Sequence, residues 1–125
     1  GRYVGHGALG VAEKHVQSAV VDYLRVRGIV PVAVPNGSVL AGGPKERAMQ
    51  MNALKRAGLH VGFPDLIAYH HSGQIGHIEI KDEGARFNNA NQIACREWLV
   101  NLGHKHAVVR SIDDMAQTLG EWGWA

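Results

Sequence analysis

A chain of 125 residues, 46% hydrophobic and 19% charged, is long enough to bury one core and too apolar to stay disordered. Its formal charge of +2 and sequence pI near 8.9 are too mild for a whole-molecule pull on nucleic acid, so any such affinity must come from local patches. The single cysteine, Cys95, excludes a disulfide framework and a cysteine-rich zinc module, and no apolar run approaches the roughly 18 residues that span a bilayer.

In chain order, residues 1–11 are expected to be a flexible lead, glycine-rich and without a signal-peptide pattern, into one domain over 12–125. From Ala12 the apolar positions Val16, Ala19, Val20, Tyr23 and Leu24 fall three and four apart, predicting an amphipathic helix that stops at Gly28. Glu13 falls in its first turn, where an acid complements the helix dipole; the alternative is a carboxylate aimed at a site from the helix start. The β-branched run from Ile29 to Val34 reads as a strand, with Pro31 marking an edge or a strand start. Pro35-Asn36-Gly37 is a turn signal. The Gly42-Gly43-Pro44-Lys45 run that follows has neither the spacing nor the hydroxyl residue of a phosphate-binding Walker loop.

A second helix is predicted from Lys45 to Ala57. Lys45, Arg47, Lys55 and Arg56 make it basic at both ends, for a solvated face or for phosphate contacts. Two strands follow, Asp65–Tyr69 and Ile75–Lys81, joined by a turn through His70-His71-Ser72-Gly73. Alternation puts His77, Glu79 and Lys81 on one face and Ile78 and Ile80 on the other, so one face is expected to pack and the other to carry chemistry. A third helix over Asn89–Leu102, a strand over Ala107–Arg110 and a last helix capped by Ser111 complete the chain. The order α-β-α-β-β-α-β-α describes an α/β domain, a central mixed sheet flanked by helices.

The chemistry concentrates on the two middle strands. Pro64 holds Phe63 out of the helical region, and a hairpin brings Glu79 back beside Asp65. Two carboxylates can share a hard divalent cation, with the carbonyl of Ile80 as a third oxygen. Lys81 would then orient or deprotonate the attacking water, or steady charge on a phosphate. The competing reading is a salt-bridged trio on a solvated strand, worth about 0–1 kcal/mol.

Pro64-Asp65 followed by Glu79-Ile80-Lys81 resembles the signature of the PD-(D/E)XK nuclease superfamily. The wider string resembles its virus-type replication-repair branch, the VRR-Nuc family: Glu13 on an opening helix, Lys55-Arg56-Ala57-Gly58 leading to Gly62-Phe63-Pro64-Asp65-Leu66, Gln92 on the next helix, and Gly103 before Val108-Val109-Arg110. The resemblance covers about residues 12 to 123 and departs from the pattern at none of these positions. It implies Mg2+- or Mn2+-dependent hydrolysis of DNA phosphodiesters. Asp65, Glu79, Lys81 and Gln92 would be catalytic, and Glu13, Asp65, Glu79 and the Ile80 carbonyl would hold metal. Lys45, Arg47, Lys55, Arg56 and Arg86 would track phosphates. Stand-alone members of this kind resemble small phage-type homodimers of the bacterial or infected-cell cytoplasm that act on branched DNA such as Holliday junctions. The other class of function weighed is a non-catalytic DNA-binding module on the same fold, against which the complete Asp65–Glu79–Lys81 set argues.

Of the remaining candidates, Trp122 and Trp124 are either interface anchors or core closers. His70, His71, His104 and His106 lack zinc-ligand spacing. His77 is expected as a surface or DNA-contacting residue, and Cys95 as a buried small hydrophobe.

Overall fold

A computed structural model describes residues 3–4, 10–35 and 38–125. Asn36 and Gly37 of the expected turn lie outside the described residues, as do positions 1–2 and 5–9 of the lead segment. The elements are β1 (Tyr3–Val4), α1 (Val11–Val26), β2 (Val30–Ala33), β3 (Ser38–Val39), α2 (Pro44–Arg56), β4 (Leu66–Tyr69), β5 (Ile75–Ile80), α3 (Ala90–Asn101), β6 (Lys105–Val109) and α4 (Ile112–Trp122). The expected order is present, with one addition: a short antiparallel pairing of β1 with β3.

The main sheet runs β2-β4-β5-β6, antiparallel across the first three strands and parallel between β5 and β6. The parallel step requires a crossover, and α3 supplies it. Val34 donates its N–H to the Asp65 carbonyl, toward β4. Alternation along the strand therefore leaves Pro31, which has no N–H, facing outward and blunting the free edge.

Ile78, Ile80, Leu66, Ala68 and Val109 pack against Val20 and Leu24 of α1 and Met115 and Leu119 of α4. The opposite face is where the expectation of one buried and one chemical face needs correction. His77 is 2% and Glu79 3% exposed, because the β5 polar row lies under α3 and the Phe63 ring rather than in solvent. A central strand is covered on both sides, and only its last residues reach a site.

Local signals place the helix ends. Asn89 accepts from the N–H groups of Asn91 and Gln92, and Ser111 accepts from Asp114, so α3 and α4 begin on side-chain caps. Trp124 is 6% exposed and belongs to the core, with its indole N–H donating 2.7 Å to Gln74 Oε1. A Cβ on Gly76 would sit 2.5 Å from the Trp122 ring, so Trp124 closes the core and the partly buried Trp122 packs over a strand glycine. Among the described residues no helix is long and apolar enough to cross a membrane.

Candidate active site

Asp65 joins three strands at the open end of the β4–β5 hairpin. Its carbonyl receives the Val34 N–H at 2.9 Å, and its Oδ2 accepts the Ile80 N–H at 2.7 Å. The register Leu66↔Ile78 sets Asp65 opposite Glu79 one step further along. Both acids are buried, at 4% and 3% exposure. Ile80 turns its N–H to Asp65, and a strand residue directs its carbonyl to the same edge as its N–H. The expected third oxygen therefore faces the acid pair's side of β5. Lys81 follows, its main chain held to Val109.

The Glu79 carboxyl is pushed up from 4.5 to about 10, first by burial, then by the hydrogen bond and charge of Asp65. Lys81 pulls it down and Glu13 pushes it up, so four of the expected residues share one electrostatic neighbourhood. Glu79 Oε1 and Gln92 Oε1 are buried with no hydrogen-bond partner. An amide and a carboxylate oxygen left as bare acceptors suit a cation, since each would otherwise forfeit roughly 1–3 kcal/mol of solvation.

Glu13 is placed differently from its neighbours. Its Oε1 accepts the Gly10 N–H at 3.2 Å, closing the first turn of α1, while its charge still reaches Glu79. Among the described residues no three His, Cys, Asp or Glu side chains gather into a ready metal cage. The oxygen set at the hairpin end is two carboxylates and the Ile80 carbonyl beside them.

The start of α3, which carries Gln92, is set by a close backbone approach to Gly62, three residues before Asp65. Gly62 has φ +85, and a Cβ there would lie 2.5 Å from the Asn91 carbonyl carbon and 2.7 Å from the Gln92 nitrogen. Glycine is needed twice over, for the conformation and for the contact. Gly62→Ala should destabilise the fold by on the order of 3 kcal/mol in urea titration. An unchanged midpoint would mean that the start of α3 moves freely against Asp65.

The basic residues divide. Lys45, Lys55, Arg56 and Arg86 are exposed and Arg47 is half-exposed. Helix α2 has no buried residue and is tethered by Gln50, whose amide pairs with both main-chain groups of Ala41. Lys55, at the C-terminal end of α2, borders a cavity with His60, Val61 and Asn91 beside the Gly62 turn. Lys45 and Arg47 sit at the far end, about 12–15 Å away along the helix. Arg86 stands between two anchors that sequence reasoning missed: the Arg110 guanidinium donates to the Ala85 carbonyl, and the Phe87 ring lies under the Arg96 guanidinium at 4.9 Å.

His77 is the clearest correction. Its Nε2 lies 2.8 Å from His104 Nδ1, its ring meets Phe63 edge-on, and burial together with His104 lowers it to about 4. It is a neutral packed residue, not a surface one. Cys95 is fully buried as expected, with Sγ 3.3 Å from His60 Nδ1, and burial raises its thiol.

The chain is a small α/β domain, a mixed four-stranded sheet between helices with an acid pair at the end of its central hairpin. No family model and no curated protein matches the chain. Among solved structures, one described as a VRR_NUC domain superposes with a TM-score of 0.60 at 20% identity, over 90% of this chain and 97% of that one. A VRR_NUC domain protein superposes at 0.58 with 24% identity, over 90% and 88%. The fold of this chain is the VRR_NUC fold.

Proposed function

We propose that the chain is a member of the VRR-Nuc family and a divalent-metal-dependent DNA endonuclease, selective for branched DNA such as a Holliday junction. The observation that carries this reading is the buried Asp65–Glu79 pair with Lys81 two residues beyond it, on a fold that superposes on VRR_NUC domains. The unpartnered Glu79 and Gln92 oxygens, and the charge that Glu79 cannot carry unaided, fit a cation. Asp65, Glu79 and the Ile80 carbonyl would hold Mg2+ or Mn2+, with Glu13 contributing from the start of α1; the bound ion would supply the positive charge that activates water and polarises the phosphate.

The chain's own residues divide the remaining work. Asp65 is oriented by the Ile80 N–H, which holds its carboxylate beside Glu79. Lys81 positions the attacking water and offsets negative charge on the phosphate as it grows. Gln92 supports the acid pair from α3. Lys55, Arg56 and Arg86, all exposed, would hold backbone phosphates, with Lys45 and Arg47 extending the track along α2. A homodimer would place two such sites on the two strands of a symmetric junction. With Trp124 committed to the core, its interface must use other residues.

The test is cleavage of synthetic junction, flap and linear duplex DNA in Mg2+ or Mn2+. Lys81→Ala should lower the rate by on the order of 10^3 while metal binding persists. An active Lys81→Ala protein would sink the mechanism. A wild type that binds DNA yet cuts nothing would instead make the domain a binding module.

A further inference from the structure

We propose that the apolar cleft beside Asp65 is a pocket for an unpaired nucleobase. The inference rests on the reading of the chain as a DNA nuclease and adds a recognition site to it. The cleft encloses about 500 Å³ between Val34, Pro35, Leu59, His60, Phe63 and Trp98. The cleft borders the main chain of Asp65, since its lining residue Val34 bonds the Asp65 carbonyl at 2.9 Å and Phe63 stands two residues before it.

Three rings form the lining. His60 and Trp98 lie 5.2 Å apart by centroid, and Phe63 and Trp98 6.2 Å. None of the three is fully buried. The sheet face beside them is open as well. Val32 on β2, paired with the cleft residue Ile67, is 42% exposed, so the cleft meets solvent instead of closing into a core.

The rim is charged in the sense a nucleotide requires. A second cavity, of about 350 Å³, shares Leu59 and His60 with the cleft and adds Lys55 and Asn91. An apolar aromatic floor with a cation at its edge is how unpaired nucleotides are held: the base stacks while the phosphate meets the ammonium. His60 Nδ1 is occupied by Cys95 and Val61, which leaves Nε2 as the ring edge able to hydrogen-bond a base.

The pocket supplies a physical reason for structure selectivity. Taking a base out of an intact duplex costs a few kcal/mol, and much less where a branch or bulge has already unstacked it. A pocket next to Asp65 would place the cut beside such a base.

The experiment compares two bulged duplexes, one carrying 2-aminopurine at the single unpaired position and one abasic there, bound in Ca2+. Wild type should bind the 2-aminopurine DNA on the order of tenfold more tightly and quench its fluorescence. His60→Ala and Trp98→Leu proteins should bind the two DNAs alike. Equal wild-type affinity for both DNAs, or unquenched fluorescence, would overturn the pocket. So would a Trp98→Leu protein that sediments as a smaller species, since the cleft would then be a contact between copies. Cleavage of both duplexes in Mg2+ separates the two readings: equal cutting rejects the pocket and keeps the nuclease, whereas binding and cutting of neither rejects both.

Discussion

Asp65→Ala should abolish metal-dependent cleavage, with a fall of on the order of 10^3-fold or more, and Asp65→Asn should do nearly the same while remaining better folded. The two substitutions separate the tasks of one side chain. The Asp65 carboxylate contributes charge to the site, and its Oδ2 also holds the Ile80 N–H at 2.7 Å in a buried position. Alanine removes both and strands a buried donor, which costs roughly 1–3 kcal/mol. Asparagine keeps an acceptor oxygen for Ile80 and removes only the charge. Burial first, and then Asp65, keep Glu79 protonated, so the amide weakens only a charge-assisted bond and Asp65→Asn should stay closer to wild-type stability than Asp65→Ala without metal. Thermal unfolding in EDTA and single-turnover cleavage in Mg2+ measure the two effects. An Asp65→Asn protein that cuts at the wild-type rate would remove Asp65 from the chemistry.

The site was legible in the sequence to the extent that hairpin register is. With β4 apolar throughout and β5 alternating polar and apolar, the turn at His70–Gly73 returns Glu79 to Asp65, and Leu66↔Ile78 is the pairing found. The cap at Ser111 was legible for the same reason, since it depends on a residue three positions away, whereas Asn89, read as the first residue of its helix, is instead that helix's cap. What resisted reading depends on contacts across the chain. His77 looked like a surface residue because strand alternation cannot tell water from a covering helix, and its partner His104 lies 27 positions on, beyond α3. The cleft rings come from the loop before β4 and from α3, with no period to mark them. The Arg110 hold on Ala85 spans 25 positions, and an arginine at a strand end looks like any surface cation. Glu13, read either as an acid for the helix dipole or as a carboxylate aimed at the site, accepts the Gly10 N–H in the first turn while its charge is felt by Glu79.

Without metal, the protein should lose stability as pH rises from 7 to 9, and Glu79→Gln should remove most of that loss. The sign follows from the direction of the shift. Glu79 is raised from 4.5 to about 10 in the fold, so its contribution is complete below pH 4.5 and is lost progressively as pH climbs toward 10. The slope can reach about 1.4 kcal/mol per pH unit. His77 and His106 act in the opposite sense, because burial lowers both from 6.5 to about 4, so their effect falls between those values and is spent by pH 7. The interval from 7 to 9 therefore isolates Glu79 from them. A glutamine has no proton to lose, which makes the variant flatter with pH and more stable than wild type at pH 9 in EDTA. Ca2+ or Mg2+ should restore the wild type and not the variant, because the same charge that strains the metal-free fold would bind the ion. Metal binding at pH 7 should accordingly release close to one proton, read by calorimetry in buffers of different ionisation enthalpy. Identical pH profiles for wild type and Glu79→Gln, together with metal binding that releases no proton, would mean that Glu79 is ionised in the metal-free fold and is not the charge the cation answers.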